Sequence, residues 1–142
     1  MGRIARKAEQ EGVTLAVEPF TKYTTHICNE ASQLRRLLRT VNNPRLMGLA
    51  DTDVIATTAV DTFSTFLDVI GPENLGHVHF VDGNPRRHLV PGDGVLDLDG
   101  ALEKLKAIHY TGALGLEVLD RRYVFAPEAA MKQAMDWYKE RI

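Results

Sequence analysis

Short apolar runs and helical apolar patterns alternate along the chain. The first run, Val13-Thr14-Leu15-Ala16-Val17, is β-prone and stops at Glu18-Pro19, which reads as a buried strand. A polar loop follows, then Asn29 as an N-cap and a helix with Leu34, Leu37, Leu38 and Val41 on one face, closed by Asn42-Asn43-Pro44. The second run, Leu46 to Ala50, ends at Asp51, and Phe63, Phe66, Leu67 and Ile70 then mark a helix that stops at Gly71-Pro72. The third run, Leu75 to Val81, carries His77 and His79 at alternating positions, hence on one face of a strand. Alone, His77 reads as a core histidine satisfied by a backbone carbonyl. Asp97 or Asp99 caps the next helix, with Leu102, Leu105 and Ile108 on its face. The fourth run, Gly112 to Leu116, ends at Glu117, and Pro127 opens a last helix with Met131, Ala134, Met135 and Tyr138 on one side. Met1 to Gln10 resembles the end of a preceding helix, closed at Glu11-Gly12 by a left-handed glycine.

Four strand-then-helix units in succession predict an α/β protein with a parallel sheet and helices packed outside it. The residues that close the predicted strands, the third ending near His79, are Glu18, Asp51, His79 and Glu117, separated by 33, 28 and 38 residues, about one strand-helix unit each. In parallel α/β folds the C-terminal strand ends gather on one rim, where functional groups concentrate. Three carboxylates crowded there repel one another unless a cation holds them or some take up protons. Three oxygen donors and one imidazole suit a single divalent ion such as Mn²⁺, Mg²⁺ or Co²⁺, while Zn²⁺ more often brings additional His or Cys ligands. The loop after the third run adds Asp82, Arg86, Arg87 and His88 to the same end, before a tight turn at Pro91-Gly92-Asp93-Gly94.

Composition narrows the classes. At 142 residues, 44% of them hydrophobic, the chain reads as one domain spanning residues 1–142. A net charge of −2 argues against a nucleic-acid surface. Cys28 is the only cysteine, so no internal disulfide forms, which fits the reducing cytoplasm. The polar start, MGRIARKAEQEG, predicts neither a secretory signal nor a membrane partner.

The segments AVEPF, LADTD, HVHFVD with PGDG, and GLEV together resemble the xylose-isomerase-like sugar isomerase and epimerase superfamily, and within it the ketose 3-epimerases of the tagatose/psicose and fructoselysine type. The resemblance runs from about Gly12 onward. It implies the last four strand-helix units of a (β/α)8 TIM barrel, with one divalent metal, Mn²⁺ foremost, held by Glu18, Asp51, His79 and Glu117. It also implies that Glu18 and Glu117 are the catalytic acid/base pair of a ketose C3 epimerase. Arg86 or Arg87, with His88 beside them, then falls at the substrate. An aldose–ketose isomerase uses the same parts and returns the proton to a different carbon.

Two departures from that family stand out. Several of its epimerases carry a histidine three residues after the metal aspartate, where this chain has Val54. A full barrel also holds eight units in about 250 residues, so half the strands are absent. Such a half-barrel exposes two sheet edges and an apolar inner face, which predicts a homo-oligomer, a dimer or larger. The competing readings are a half-barrel that keeps the metal residues without turnover, and a metal-dependent phosphodiesterase of the apurinic endonuclease type.

Overall fold

The computed structural model describes residues 1–84 and 86–141. Its order is α1 (Gly2–Gln10), β1 (Leu15–Val17), α2 (Ala31–Val41), β2 (Leu46–Asp51), α3 (Thr52–Thr58), α4 (Phe63–Ile70), β3 (Leu75–His79), α5 (Leu98–Ala107), β4 (Leu114–Gly115) and α6 (Pro127–Lys139). The strands form one sheet in the order β1-β2-β3-β4, and every neighbouring pair is parallel. Each crossover runs through helices, as parallel pairing requires. Among the described residues, no helix is long and apolar enough to cross a membrane.

The core forms where the helices cover the sheet. Leu34 and Leu38 of α2, Phe66, Leu67 and Ile70 of α4, and Leu102 and Leu105 of α5 are buried together with Leu46, Ala50, Leu75 and Val78 of the central strands. The helical spacings of the sequence thus face inward as expected. Left-handed Asn42 (φ 45°) ends α2, and Gly12 (φ 68°) lies just beyond α1. A capping box between Thr62 and Thr65 starts α4. Of the two candidate caps for α5, Asp97 accepts the Gly100 N–H at 2.9 Å.

Several elements differ from the sequence expectation. β1 begins at Leu15 rather than Val13 and is not buried: Leu15 and Val17 are half-buried and Ala16 is exposed. As an edge strand it has a neighbour on one side only. β4 shrinks to two residues for the same reason. Asn29 lies one position ahead of the α2 cap, which is Glu30, and its buried amide instead ties Phe20 and Thr25 carbonyls together. α3 was not anticipated, because its sequence, TDVIATT, is short and β-branched. On α6 the small Ala130 and Ala134 pack against Val90, leaving Met131 and Met135 exposed.

The β3 end is fastened from two sides. Thr52 Oγ1 donates to the Val81 carbonyl (2.6 Å) and accepts the Val81 N–H (3.0 Å), extending the sheet's pairing beyond His79. From α6, the Tyr138 hydroxyl donates to the Phe80 carbonyl (2.8 Å). Past that point the buried Asp82 carboxylate gathers the turn: it accepts the N–H groups of Gly83 (2.8 Å) and of Gly92, Gly94 and Leu96 (3.0 Å each). Asp82 and Leu89 also exchange backbone hydrogen bonds at 2.8 and 2.9 Å, closing the loop that carries Arg86, Arg87 and His88.

Candidate metal centre

The register sets the centre of the site. A shift between Gly48 and Leu49 brings Asp51 opposite His79, and His79 pairs in turn with Gly115. A side chain at Gly115 would meet His77 Nε2 at 2.8 Å, so glycine there leaves room for both histidine rings. Those rings stand edge to face with centroids 5.3 Å apart, and His77 is half-buried on this inner face rather than in the core. Glu18 follows β1 by one residue and Glu117 follows β4 by two.

These strand ends converge. Glu18, Asp51, His79 and Glu117 each offer a ligand atom, all lying within 4.8 Å of one another. His79 Nδ1 is the hub, with Glu18 Oε1 at 3.3 Å, Glu117 Oε2 at 3.3 Å and Asp51 Oδ2 at 3.5 Å. Asp51 divides its work: Oδ1 caps α3 by accepting the Val54 N–H (2.8 Å), while Oδ2 turns to the hub. Glu18 Oε1, Asp51 Oδ2 and His79 Nδ1 are buried without a hydrogen-bond partner. Buried polar atoms are rarely left so. A proton on Nδ1 serves one carboxylate at a time, whereas a divalent cation engages all four donors, so the residues fit a metal ion.

The sequence matches the family described as "Xylose isomerase-like TIM barrel" over residues 1–141. The chain belongs to this family. It is 27% identical over 141 residues to fructoselysine 3-epimerase of Escherichia coli O157:H7, covering 98% of this chain and 50% of that protein. It is 31% identical over 117 residues to ketose 3-epimerase of Arthrobacter globiformis, covering 82% and 39%. The crystal structure of 3-keto-D-glucoside 4-epimerase from E. coli superposes with a TM-score of 0.83 at 24% identity, over 96% of this chain and 49% of that one. The chain therefore spans half or less of the length of these relatives, and its four parallel units are part of a TIM barrel.

In this xylose isomerase-like frame the charges of the site depend on one another. The Asp51 carboxylate, with Glu18 and Glu117, raises the His79 imidazole from its ordinary 6.5 to about 9, against the opposing effect of burial. Burial raises Glu18, and the Asp51 and Glu117 charges add to it. Without a metal, then, an imidazolium holds the carboxylates together, and a divalent ion held by these residues would have to displace that proton.

Around the four lie groups of uneven legibility. His88 places Nδ1 3.0 Å from the Glu117 carbonyl oxygen and 3.2 Å from Glu117 Oε2, with Nε2 3.7 Å from both Asp51 Oδ1 and Asp53 Oδ2. The loop thus brings His88 to the centre rather than only to its margin. Asp53 escaped the sequence reading. It is buried, Oδ1 has no partner, and burial raises its carboxyl to about 6. A side chain at Gly83 would overlap that carboxylate, so the glycine is needed for its close approach. The signal available in the sequence was a second acid inside LADTD. Val54 is buried. Arg86 and Arg87 line a cavity of about 510 Å³ together with Asp53, His88 and Glu117.

Proposed function

We propose that the chain carries the metal half of a divalent-metal-dependent ketose 3-epimerase, with Glu18, Asp51, His79 and Glu117 as ligands and Mn²⁺ as the metal. The observation that carries this reading is the set of unpartnered ligand atoms on the rim, in a family whose similar members are named as 3-epimerases. Epimerisation requires removal of a weakly acidic proton beside a ketone and its return on the opposite face. When bound, the cation supplies positive charge that stabilises the developing enediolate oxygens. Glu18 and Glu117 stand 3.3 Å from the His79 Nδ1 hub, just beyond the ends of opposite edge strands. One takes the C3 proton and the other delivers a proton from the other side. His88 holds Glu117 through its carbonyl and carboxylate, which steadies the group as it gains and loses a proton. Arg86 and Arg87 meet the substrate in the adjoining cavity.

The sheet has two open edges, since β1 and β4 each pair with a single strand. A second copy of the chain covers them in this reading, and light scattering at micromolar concentration tests it, with a well-folded monomer as the contrary result. The single Cys28 suits a reducing compartment, so the proposed location is the cytoplasm. The deciding assay is exchange of the C3 proton of a ketose with solvent deuterium in the presence of Mn²⁺, which registers proton transfer even where net epimerisation is slow. Metal-dependent exchange at C3 is expected. Exchange at C1 alone points to an aldose–ketose isomerase, and no exchange on a panel of ketoses points to a half-barrel without turnover.

A further inference from the structure

The cavity beside the metal centre sets three arginines against three carboxylates, Asp53, Glu117 and Asp120. Arg86, Arg87 and Arg121 all line it. Arg87 is matched, with Nη1 3.0 Å from Asp120 Oδ2, and Asp120 is held below the usual carboxylate range by the Arg122 N–H and by Arg87. Arg86 is not matched in this way. Its guanidinium carbon sits 3.7 Å over the Tyr23 ring, and an aromatic face orients a cation while leaving its charge available. Its backbone takes a left-handed φ of 70°, a conformation uncommon for a long side chain, and its N–H is held by Thr57 Oγ1 at 3.1 Å. Arg121 makes no ion pair among the described residues. Two guanidinium groups outside any ion pair among the described residues therefore line the cavity that Glu117 also lines.

Resting on the ketose-epimerase reading, we propose that the substrate is a ketose bearing an anionic group, a carboxylate or a phosphate ester, away from the reacting carbons, and that Arg86 and Arg121 receive that group. The fork of guanidinium donors suits the oxygens of either anion. Anions entering the site meet the acid cluster as well. One divalent ion cancels two of the three ligand carboxylate charges, and arginines placed beyond it favour a substrate whose negative end lies away from the metal. If the arginines merely offset the acid cluster, they affect neutral and anionic ketoses alike.

The test compares D-fructose, D-fructuronate and D-fructose 6-phosphate, which share the ketone and its neighbours and differ at C6. With Mn²⁺-loaded protein, C3 exchange is expected to show kcat/KM at least about tenfold higher for one or both anionic ketoses than for fructose. The two arms tell carboxylate from phosphate. Arg86→Gln and Arg121→Gln should each lower the anionic-to-neutral ratio by about tenfold, and added salt should lower it too. Comparing that ratio between each variant and the wild-type chain cancels differences in open-chain content between the sugars. Equal kcat/KM for the three sugars, or a ratio unmoved by both substitutions, overturns the proposal. If Mn²⁺ binds and no sugar exchanges, the epimerase reading fails separately. Calorimetric binding then decides the anion site: binding of fructose 6-phosphate, absent with fructose and weakened in Arg121→Gln, supports it, and no binding of either anionic ketose overturns it.

Discussion

The centre and the edges of the sheet contribute to the candidate site in opposite ways. Asp51 and His79 sit at the ends of the two central strands, in direct register, with the Asp51 side chain fully buried and further fixed as the cap of α3. Glu18 and Glu117 follow the edge strands in irregular backbone, and the Glu117 side chain is 40% exposed. The central pair has its geometry set by neighbours on both sides. The edge pair has a neighbour on one side and correspondingly more freedom. A proton-transferring group must approach and withdraw, while a ligand that defines a metal position must not. Under the proposed function, the centre fixes the cation and the edges supply the moving carboxylates.

The largest effect that sharpens this contrast falls on the edge pair. Glu18→Gln and Glu117→Gln should each lower C3 exchange by about 10²–10⁴-fold, the usual contribution of a general acid or base. Thermal stability of the metal-free protein should hold or rise, since each change removes one of the crowded charges. A loss of stability in step with the loss of rate would mean that the edges are as structural as the centre.

Next come the two proposed central ligands. Asp51→Asn keeps a good helix cap and removes the charge at the hub. It should weaken Mn²⁺ binding by more than about tenfold, comparable to or beyond the 10–100-fold typical of an outer partner, and excess Mn²⁺ should partly restore exchange. His79→Ala should behave in the same way. Failure of high metal concentration to restore either variant would place these residues outside metal binding.

A third change separates the fold from the chemistry. Thr52→Val removes the hydroxyl that serves both the N–H and the carbonyl of Val81. It should cost about 1–3 kcal/mol, read by denaturant unfolding, because two buried backbone groups lose their partner.

The smallest effect is a pH slope. Because His79 is raised from 6.5 to about 9 in the folded protein, its contribution to metal-free stability is complete below pH 6.5 and is lost as pH rises through about 9. Melting temperature without metal should fall across that window, and saturating Mn²⁺ should remove the slope. A flat metal-free profile would contradict the crowding at the hub.

Much of the central architecture was legible because buried parallel strands and one-faced helices leave a strong apolar pattern. Leu34, Leu38, Phe66, Leu67 and Ile70 all point inward as their spacing implied. The four rim residues were readable because each stood at or near the end of an apolar run. The edges were less legible: Val13 and Ala16 are as apolar as core residues yet lie exposed, since whether a strand has one neighbour or two is not written in its own residues. His88 appeared as a loop residue, and Asp53 as one more acid after a metal ligand. Their positions depend on the loop closed by Asp82 and on the room left by Gly83, which are tertiary facts. On α6 the apolar methionines outweighed the alanines in the pattern, while packing chose the alanines because their small size permits close approach.

Titration of the protein with Mn²⁺ by calorimetry tests the central claim, that the four rim residues form one divalent-metal site. One ion per chain is expected, with affinity rising from pH 6.5 toward 9 as the His79 proton becomes easier to displace, and with binding sharply weakened in Asp51→Asn and in His79→Ala. No binding by the folded protein, or binding that is unchanged in both variants, would contradict it.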